Sequence, residues 1–176
     1  MIEARTIRLR LVEIDDAEFI LGLRLDSKYN RYLSATSNDV SNQQAWIKEY
    51  KERELEKKEY YFIIERKVDN LRIGTVRLYG FIEKDNSFCW GSWILNENKT
   101  RTAAIESALL VYQFAFDEIG FSRSYFDVGK ENKSVLSFHE KMGAKQTGED
   151  ECYIYFHYYP ESYRKQKNKL ERYLIH

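Results

Sequence analysis

Apolar and cationic residues alternate from Ile7 to Leu11 in "TIRLRLVE", the period of a strand with one face in a core. Asp15 with Glu18 three residues later reads as a capping box opening a helix that runs through Leu25. Ser41 and Gln44 repeat the device ahead of "AWIKEYKERELEKK", a second helix with a solvated outer face. "EYYFIIERK" and "LRIGTVRLYGF" read as strands joined through the turn signal "VDNL", and "SFCWGSWIL" as a third strand after the polar turn "EKDN". From Ala104 the apolar residues Ile105, Ala108, Leu109, Tyr112 and Phe116 fall three or four apart, with Leu110, Val111 and Phe114 widening the stripe. That pattern predicts a helix buried on most sides. "GFSRSYFDV" is the next strand, "NKSVLSFHEKM" a helix ending at Gly143, and "ECYIYFHYY" a last aromatic strand.

The order is β, α, α, β, β, β, α, β, α, β. Early hairpins imply antiparallel pairing, and the late strand–helix–strand units imply parallel pairing. The fold class is therefore α/β of the α+β type, a mixed sheet of about six to seven strands flanked by about four helices. Proline is missing until Pro160 and no linker interrupts the chain before it, so residues 1–160 read as one domain. Residues 161–176 ("ESYRKQKNKLERYLIH") read as a basic, weakly amphipathic helical tail, a solvated helix or a docking surface.

Composition removes several classes of function. The 176 residues are 43% hydrophobic and 15% aromatic, enough for a packed core. Lys+Arg and Asp+Glu both number 28, which leaves no whole-protein electrostatic case for nucleic acid. No apolar run reaches the roughly 18 residues of a membrane span, and Met1 leads into charged residues, not a signal peptide. Two cysteines, Cys89 and Cys152, make no metal or disulfide framework. The expectation is a cytoplasmic protein with reduced thiols and no metal.

The stretch "NENKTRTAAIESALL" (residues 96–110) carries the first chemical signal. A cationic, Thr-rich turn meets a helix start, where unpaired N–H groups and a partial positive charge suit a phosphate. In this setting the chain resembles the GNAT family of N-acetyltransferases across most of residues 5 to 158. That family places a strand, a turn of form Gln/Arg-x-x-Gly-x-Gly/Ala and a helix, with the pyrophosphate of acetyl-CoA on the turn's backbone amides. The matching pieces are "FCWGSWIL", "KTRTAA" (Lys99, Thr100, Arg101, Thr102, Ala103, Ala104) and the following helix, in a register fixed by Glu106 and "FDEIG" (Phe116 to Gly120). Lys99 replaces Gln or Arg and Thr102 replaces Gly. Thr102 still presents its N–H and offers a hydroxyl as a further donor.

"NKSVLSFHEKMGA" resembles the family's Asn-x-x-Ser/Ala-x-x-x-Tyr/His-Glu-Lys-x-Gly-Phe segment, with Ala144 in place of Phe. The resemblance implies that Asn132 and Ser134 line the pantetheine arm and that His139 stands near the thioester sulfur. Residues 21 to 50 resemble the first helix pair of members that acetylate the amine of nucleotide-activated amino sugars. Ribosomal-protein and polyamine acetyltransferases share the outline.

Acetyl transfer needs a deprotonated amine, donors for the oxyanion and a proton for the leaving thiolate. A sheet that splays between "FCWGSWIL" and "SRSYFDV" would free N–H groups near Ser92, Trp93, Ile94 and Leu95 for the cofactor. His139 is the candidate acid, with Tyr153 or Tyr155 behind it. No carboxylate lies between Phe88 and Leu95, so the base falls to water or to a distant group such as Glu13. A sugar amine of low pKa would need no strong base. Arg24 and Arg31 are candidates to hold a diphosphate, and Tyr29, Tyr32 and Trp46 to stack on a ring. The alternative for Trp46 is to seal its helix to the sheet.

The functional expectation is an acetyl-CoA-dependent N-acetyltransferase acting on a small amine, first a nucleotide-linked amino sugar and second a protein N-terminus or a polyamine. A non-catalytic CoA-binding module is the alternative from another class, suggested by the degenerate turn. The expected partner is the small-molecule acceptor, with a homodimer as an option.

Overall fold

A computed structural model of the protein describes residues 1–32 and 37–175, the side chain of Tyr32 excepted. The alternation at the start becomes β2 (Ile7–Leu11), which buries Ile7 and Leu9 completely. Its outward Arg8 and Arg10 both pair with Glu65 on β3 (Tyr60–Arg66). The same period-2 logic shapes β4 (Leu71–Ile82), β5 (Ser87–Leu95), β6 (Arg123–Gly129) and β8 (Tyr153–Tyr158). Two strands escape the hydrophobic pattern, the two-residue β1 (Ile2–Glu3) and the polar edge strand β7 (Lys145–Glu149). They raise the count to one eight-stranded sheet in the order β1-β2-β3-β4-β5-β6-β8-β7.

Five α-helices cover it among the described residues: α1 (Ala17–Leu25), α2 (Val40–Leu55), α3 (Ala103–Tyr112), α4 (Lys133–Met142) and α5 (Pro160–Leu170). The N-terminal caps differ from those the sequence suggested. A short 3-10 turn precedes α1, and the acid that matters is Asp16, which accepts the Glu13 N–H at 2.9 Å. Asp16 is 2% exposed and also accepts from Arg10 and Arg72. For α2 the cap is Asp39, accepting from the Ser41 N–H at 2.8 Å. At α2 an acid two positions earlier outcompetes the serine read as the cap, because a carboxylate is the stronger acceptor; at α1 the role passes to Asp16, one position after Asp15.

The two faces of the sheet carry separate cores. On one, α1 and α2 pack Ile20, Ile47 and Tyr50 against Val12, Tyr61 and Ile63. On the other, α3 is buried nearly all round, Ala108 through Tyr112 at zero exposure, against Leu9, Val76, Leu78, Phe88 and Trp90. The helix continues past Tyr112 as a π-helical segment over Gln113–Ile119, closed by Gly120 in the left-handed conformation. Residues from Pro160 onward pack on this same core. Tyr163 of α5 is fully buried beside Phe116, its hydroxyl donating to Asp117 at 2.9 Å. Burying a side chain of this size is worth roughly 2 to 3 kcal/mol. Among the described residues no helix is long and apolar enough to cross a membrane.

Candidate active site

The site begins with a defect in the sheet. Strand β5 pairs along its whole length with β4, antiparallel, but with β6 only at Ser87↔Arg123 and Phe88↔Ser124, parallel. Past those two pairs the strands diverge, as the sequence predicted, and the facing edges carry unsatisfied backbone groups. A bulge helps to turn β5 aside. Gly74 and Thr75 face Leu95 and Ile94 while Arg77 faces Gly91, so Ser92 and Trp93 together oppose the single residue Val76. Ser92 adopts φ +47°, and its carbonyl accepts the Thr75 hydroxyl at 2.8 Å. Gly74 makes this possible, since a Cβ there would lie 2.0 Å from the Ile94 carbonyl oxygen.

The divergence opens a cleft of about 470 Å³ between residues 90–93 of β5 and 126–129 of β6. Helix α4 contributes Asn132, Val135 and His139 to it, β8 contributes Tyr153, and Arg31 reaches in from the α1–α2 connection. Trp93, Asn132, His139, Tyr153 and Arg31, picked from sequence, therefore meet at one cavity. Ile94 and Leu95 continue the β5 edge beyond it, pairing with Thr75 and Gly74. Ser134 lies on the exposed side of α4, its hydroxyl 3.5 Å from Asn132 Oδ1.

His139 is 4% exposed and sits against aromatic rings, with centroids 4.4 Å from Phe126 and 5.5 Å from Trp90. Burial among these rings pushes its imidazole down to about 4, so it is neutral at physiological pH. Because successive strand residues point to opposite faces, Phe126 meets His139 on the α3/α4 side while Asp127 turns to the other. Tyr155 stands opposite Asp127 across the β6–β8 pair, and Tyr153 opposite Gly129. Both tyrosines thus share the Asp127 face. The cleft passes through the sheet and has two differently furnished mouths.

Asp127 is the cleft carboxylate that the sequence reading passed over. Strand β5 carries no carboxylate, and the acid comes from "SYFDVG" on the opposite wall. Desolvation by the cleft walls, then the charge of Asp150, raise its carboxyl above the ordinary aspartate range. Glu13, the carboxylate suggested earlier, is 64% exposed and pairs with Lys51 beside α2, not with the cleft.

The turn Lys99–Ala104 lies at the end of β5 where α3 begins. Lys99 and Arg101 are exposed, and among the described residues the amides of Arg101, Thr102 and Ala104 have no hydrogen-bond acceptor. The hydroxyl of Thr102 is not free. It donates to Glu106 at 2.6 Å, and Glu106 also receives the Thr6 N–H at 2.8 Å and the Ile7 N–H at 3.1 Å. Glu106 is fully buried, so one carboxylate ties the turn to the start of β2. The Thr6 and Thr100 hydroxyls add a 2.7 Å contact.

The residues suggested for the acceptor are more scattered. Arg31 pairs with Glu131 at 3.2 Å and the Tyr29 hydroxyl donates to Glu97 at 2.8 Å. The α1–α2 connection is thereby tied to the turns after both β5 and β6, across the mouth of the cleft. Arg24 lies beside Tyr61, whose phenol is pushed up by burial against the opposing charge of Arg24. Trp46 is half-buried, stacked on Tyr50 at 6.0 Å with Arg53 and Arg77 over its ring. The side chain of Tyr32, also a stacking candidate, lies outside the described residues.

Known proteins share this fold. The apo form of FdhC, a nucleotide-linked sugar GNAT, superposes with a TM-score of 0.93 at 51% identity, over 99% of this chain and 98% of that one. The probable N-acetyltransferase YjcK of Bacillus subtilis (strain 168) is 29% identical over 154 residues, 84% of this chain and 85% of the relative. A spermidine N-acetyltransferase from Vibrio cholerae, in complex with CoA and spermine, shares the fold at 16% identity and a TM-score of 0.77, over 90% and 98% of the two chains. The model of the acetyltransferase (GNAT) domain matches residues 6–145, which contain the splayed strands, the amide-lined turn and His139. The chain belongs to the GNAT family and is an acyltransferase.

Proposed function

We propose that the protein moves the acetyl group of acetyl-CoA to the primary amine of a nucleotide-linked amino sugar. The observation that carries the acceptor class is the 51% identity, end to end, with a nucleotide-linked sugar GNAT. The residues present suit the donor. The open amides of Arg101, Thr102 and Ala104, flanked by Lys99 and Arg101, would hold the diphosphate. The unpaired edge of β5 around Trp93 would pair with the amides of the pantetheine arm, and Asn132 and His139 would stand along it on the α4 side. Acetyl-CoA supplies an activated acyl thioester; the protein supplies orientation, donors for the oxyanion and proton handling. A neutral His139 brings a ring N–H to the sulfur, not an imidazolium. Tyr153, on the opposite face, would stand closer to the amine.

The test is release of free thiol from acetyl-CoA in the presence of UDP- and dTDP-linked amino sugars, spermidine or N-terminal peptides. Turnover is expected with a nucleotide-linked amino sugar. Turnover confined to spermidine or a peptide would replace the acceptor, and tight CoA binding without turnover on any amine would make the chain a binding module.

A further inference from the structure

We propose that Asp127 is the group that receives the acceptor's ammonium and removes its proton, a role that rests on the acetyltransfer reading above. Asp127 lines the through-sheet cleft on the face opposite the α3/α4 side, where the thioester arm would lie. An incoming amine must reach the carbonyl from this second mouth. Among the described residues no side chain pairs with the Asp127 carboxylate. Its acidic neighbour differs in this respect. Asp150 accepts the Tyr155 hydroxyl at 2.5 Å and the N–H groups of Cys152 and Tyr153 at 2.8 and 2.7 Å. One acid is built into the β7–β8 turn, and the other is left uncommitted in the cleft.

The surroundings raise the Asp127 carboxyl above the ordinary aspartate range, which makes it a better proton acceptor. Tyr153, Tyr155 and Asp150 face Asp127 from the β7–β8 side, and Cys89 and Tyr79 from β5 and β4. Arg77 lies beside the last two, and Arg31 lines the same cleft. Cys89 and Tyr79 are both pushed up by burial, to about 11 for the thiol. They stay neutral, which leaves Asp127 and Asp150 as the negative charges of this face.

The proton count closes. The substrate ammonium gives its first proton to the Asp127 carboxylate, which passes it to solvent. The freed lone pair forms the C–N bond to the acetyl carbon as the C–S bond breaks. The second N–H proton goes to the departing sulfur, so the products are the amide, the free thiol and one proton in solution. This puts Asp127 in the place of the water, or distant carboxylate such as Glu13, expected from the sequence.

The experiment compares wild type, Asp127→Asn and Asp127→Glu across pH, using whichever amine of the panel the wild type acetylates. Asp127→Asn is expected to lower kcat at least about a hundredfold with the acetyl-CoA Kd unchanged, and to erase an acid-side ionisation of kcat. Asp127→Glu should recover part of the rate and the ionisation. An Asn variant within twofold of wild type at every pH overturns the proposal, as does a rise in KM alone with an unchanged pH profile. A wild type that acetylates no amine overturns both this and the acetyltransfer reading. Turnover of a different amine overturns only the acceptor class and leaves the Asp127 comparison to be made with that amine.

Discussion

The two ends of the cleft are held by opposite means. The proposed cofactor end is organised by Glu106, a fully buried carboxylate that gathers the Thr6 and Ile7 amides and the Thr6 and Thr102 hydroxyls. The proposed acceptor end is bounded by Tyr29 and Arg31, whose pairs to Glu97 and Glu131 are exposed; Arg31 and Glu131 are 69% and 78% accessible. Buried, many-partnered hydrogen bonds fix a geometry, whereas exposed ion pairs cost little to rearrange. A donor common to a whole family suits a rigid seat. An acceptor that varies between members suits a wall that can be altered without unfolding the protein.

The largest effect is expected where the rigid end is broken. Glu106→Ala takes the acceptor from two backbone amides and two hydroxyls, which should cost roughly 3 to 4 kcal/mol of stability. It should also weaken acetyl-CoA binding, because the turn loses its tie to β2. Urea unfolding and a CoA titration measure both. A loss below about 1 kcal/mol would mean that the carboxylate is incidental to the turn.

His139 sharpens the same contrast through pH. Its imidazole is pushed down to about 4, below the unfolded value of about 6.5. Between those values the unfolded chain binds a proton that the folded one refuses, so stability falls as pH drops from about 6.5 to about 4. The full loss is about 3 kcal/mol at 1.36 kcal/mol per unit. His139→Phe should flatten that part of the curve, read from denaturation midpoints at pH 7 and pH 4.5. An imidazole signal that titrates near 6.5 would place the ring in water and remove the aromatic enclosure from the account.

A smaller effect is expected at the exposed cations of the turn. Replacing Lys99 or Arg101 with Ala removes one charge from a helix N-terminus without touching the amides. Acetyl-CoA should bind about threefold to tenfold more weakly, with a diminished salt dependence, and the fold should be unchanged. Affinity that is insensitive to both charges would move the diphosphate off this turn.

Much of this division was legible in the chain. Lys99 to Ala104 and "NKSVLSFHEKMGA" point to the proposed cofactor end through their resemblance to the family's motifs, in which a phosphate seat and a helix beside the donor restrict residue types at fixed spacing. The splay between β5 and β6 was an expectation that came with the family resemblance, and the two short parallel pairs carry it. What stayed hidden depends on partners distant in sequence. Glu106 served only to set a register, and nothing local shows that it would meet Thr6 a hundred positions away. Asp127 is one acid in an alternating strand, and its meaning comes from β5 having moved aside. Strand β7 could not be read because its residues are polar and its order comes from pairing with β8. Trp46 could be read as a stacking surface or a seal, and the structure places it against Tyr50, Tyr61 and two arginines.

The smallest effect on stability belongs to the acceptor wall, and there the comparison is most exposed to failure. Glu131→Gln removes the charge facing Arg31 while keeping size and hydrogen bonding, and Glu131 is 78% accessible. An ion pair this exposed contributes within about 0.5 kcal/mol, so the unfolding midpoint should scarcely move. Arg31 lines the cleft, and removing the Glu131 charge strengthens the positive field its guanidinium presents to an anionic acceptor. The KM for a nucleotide-linked amino sugar should therefore change by a few fold, with kcat and the acetyl-CoA Kd constant. A variant that loses stability while its acceptor KM stays fixed would reverse the assignment, making the α1–α2 connection part of the rigid frame and leaving recognition to other residues.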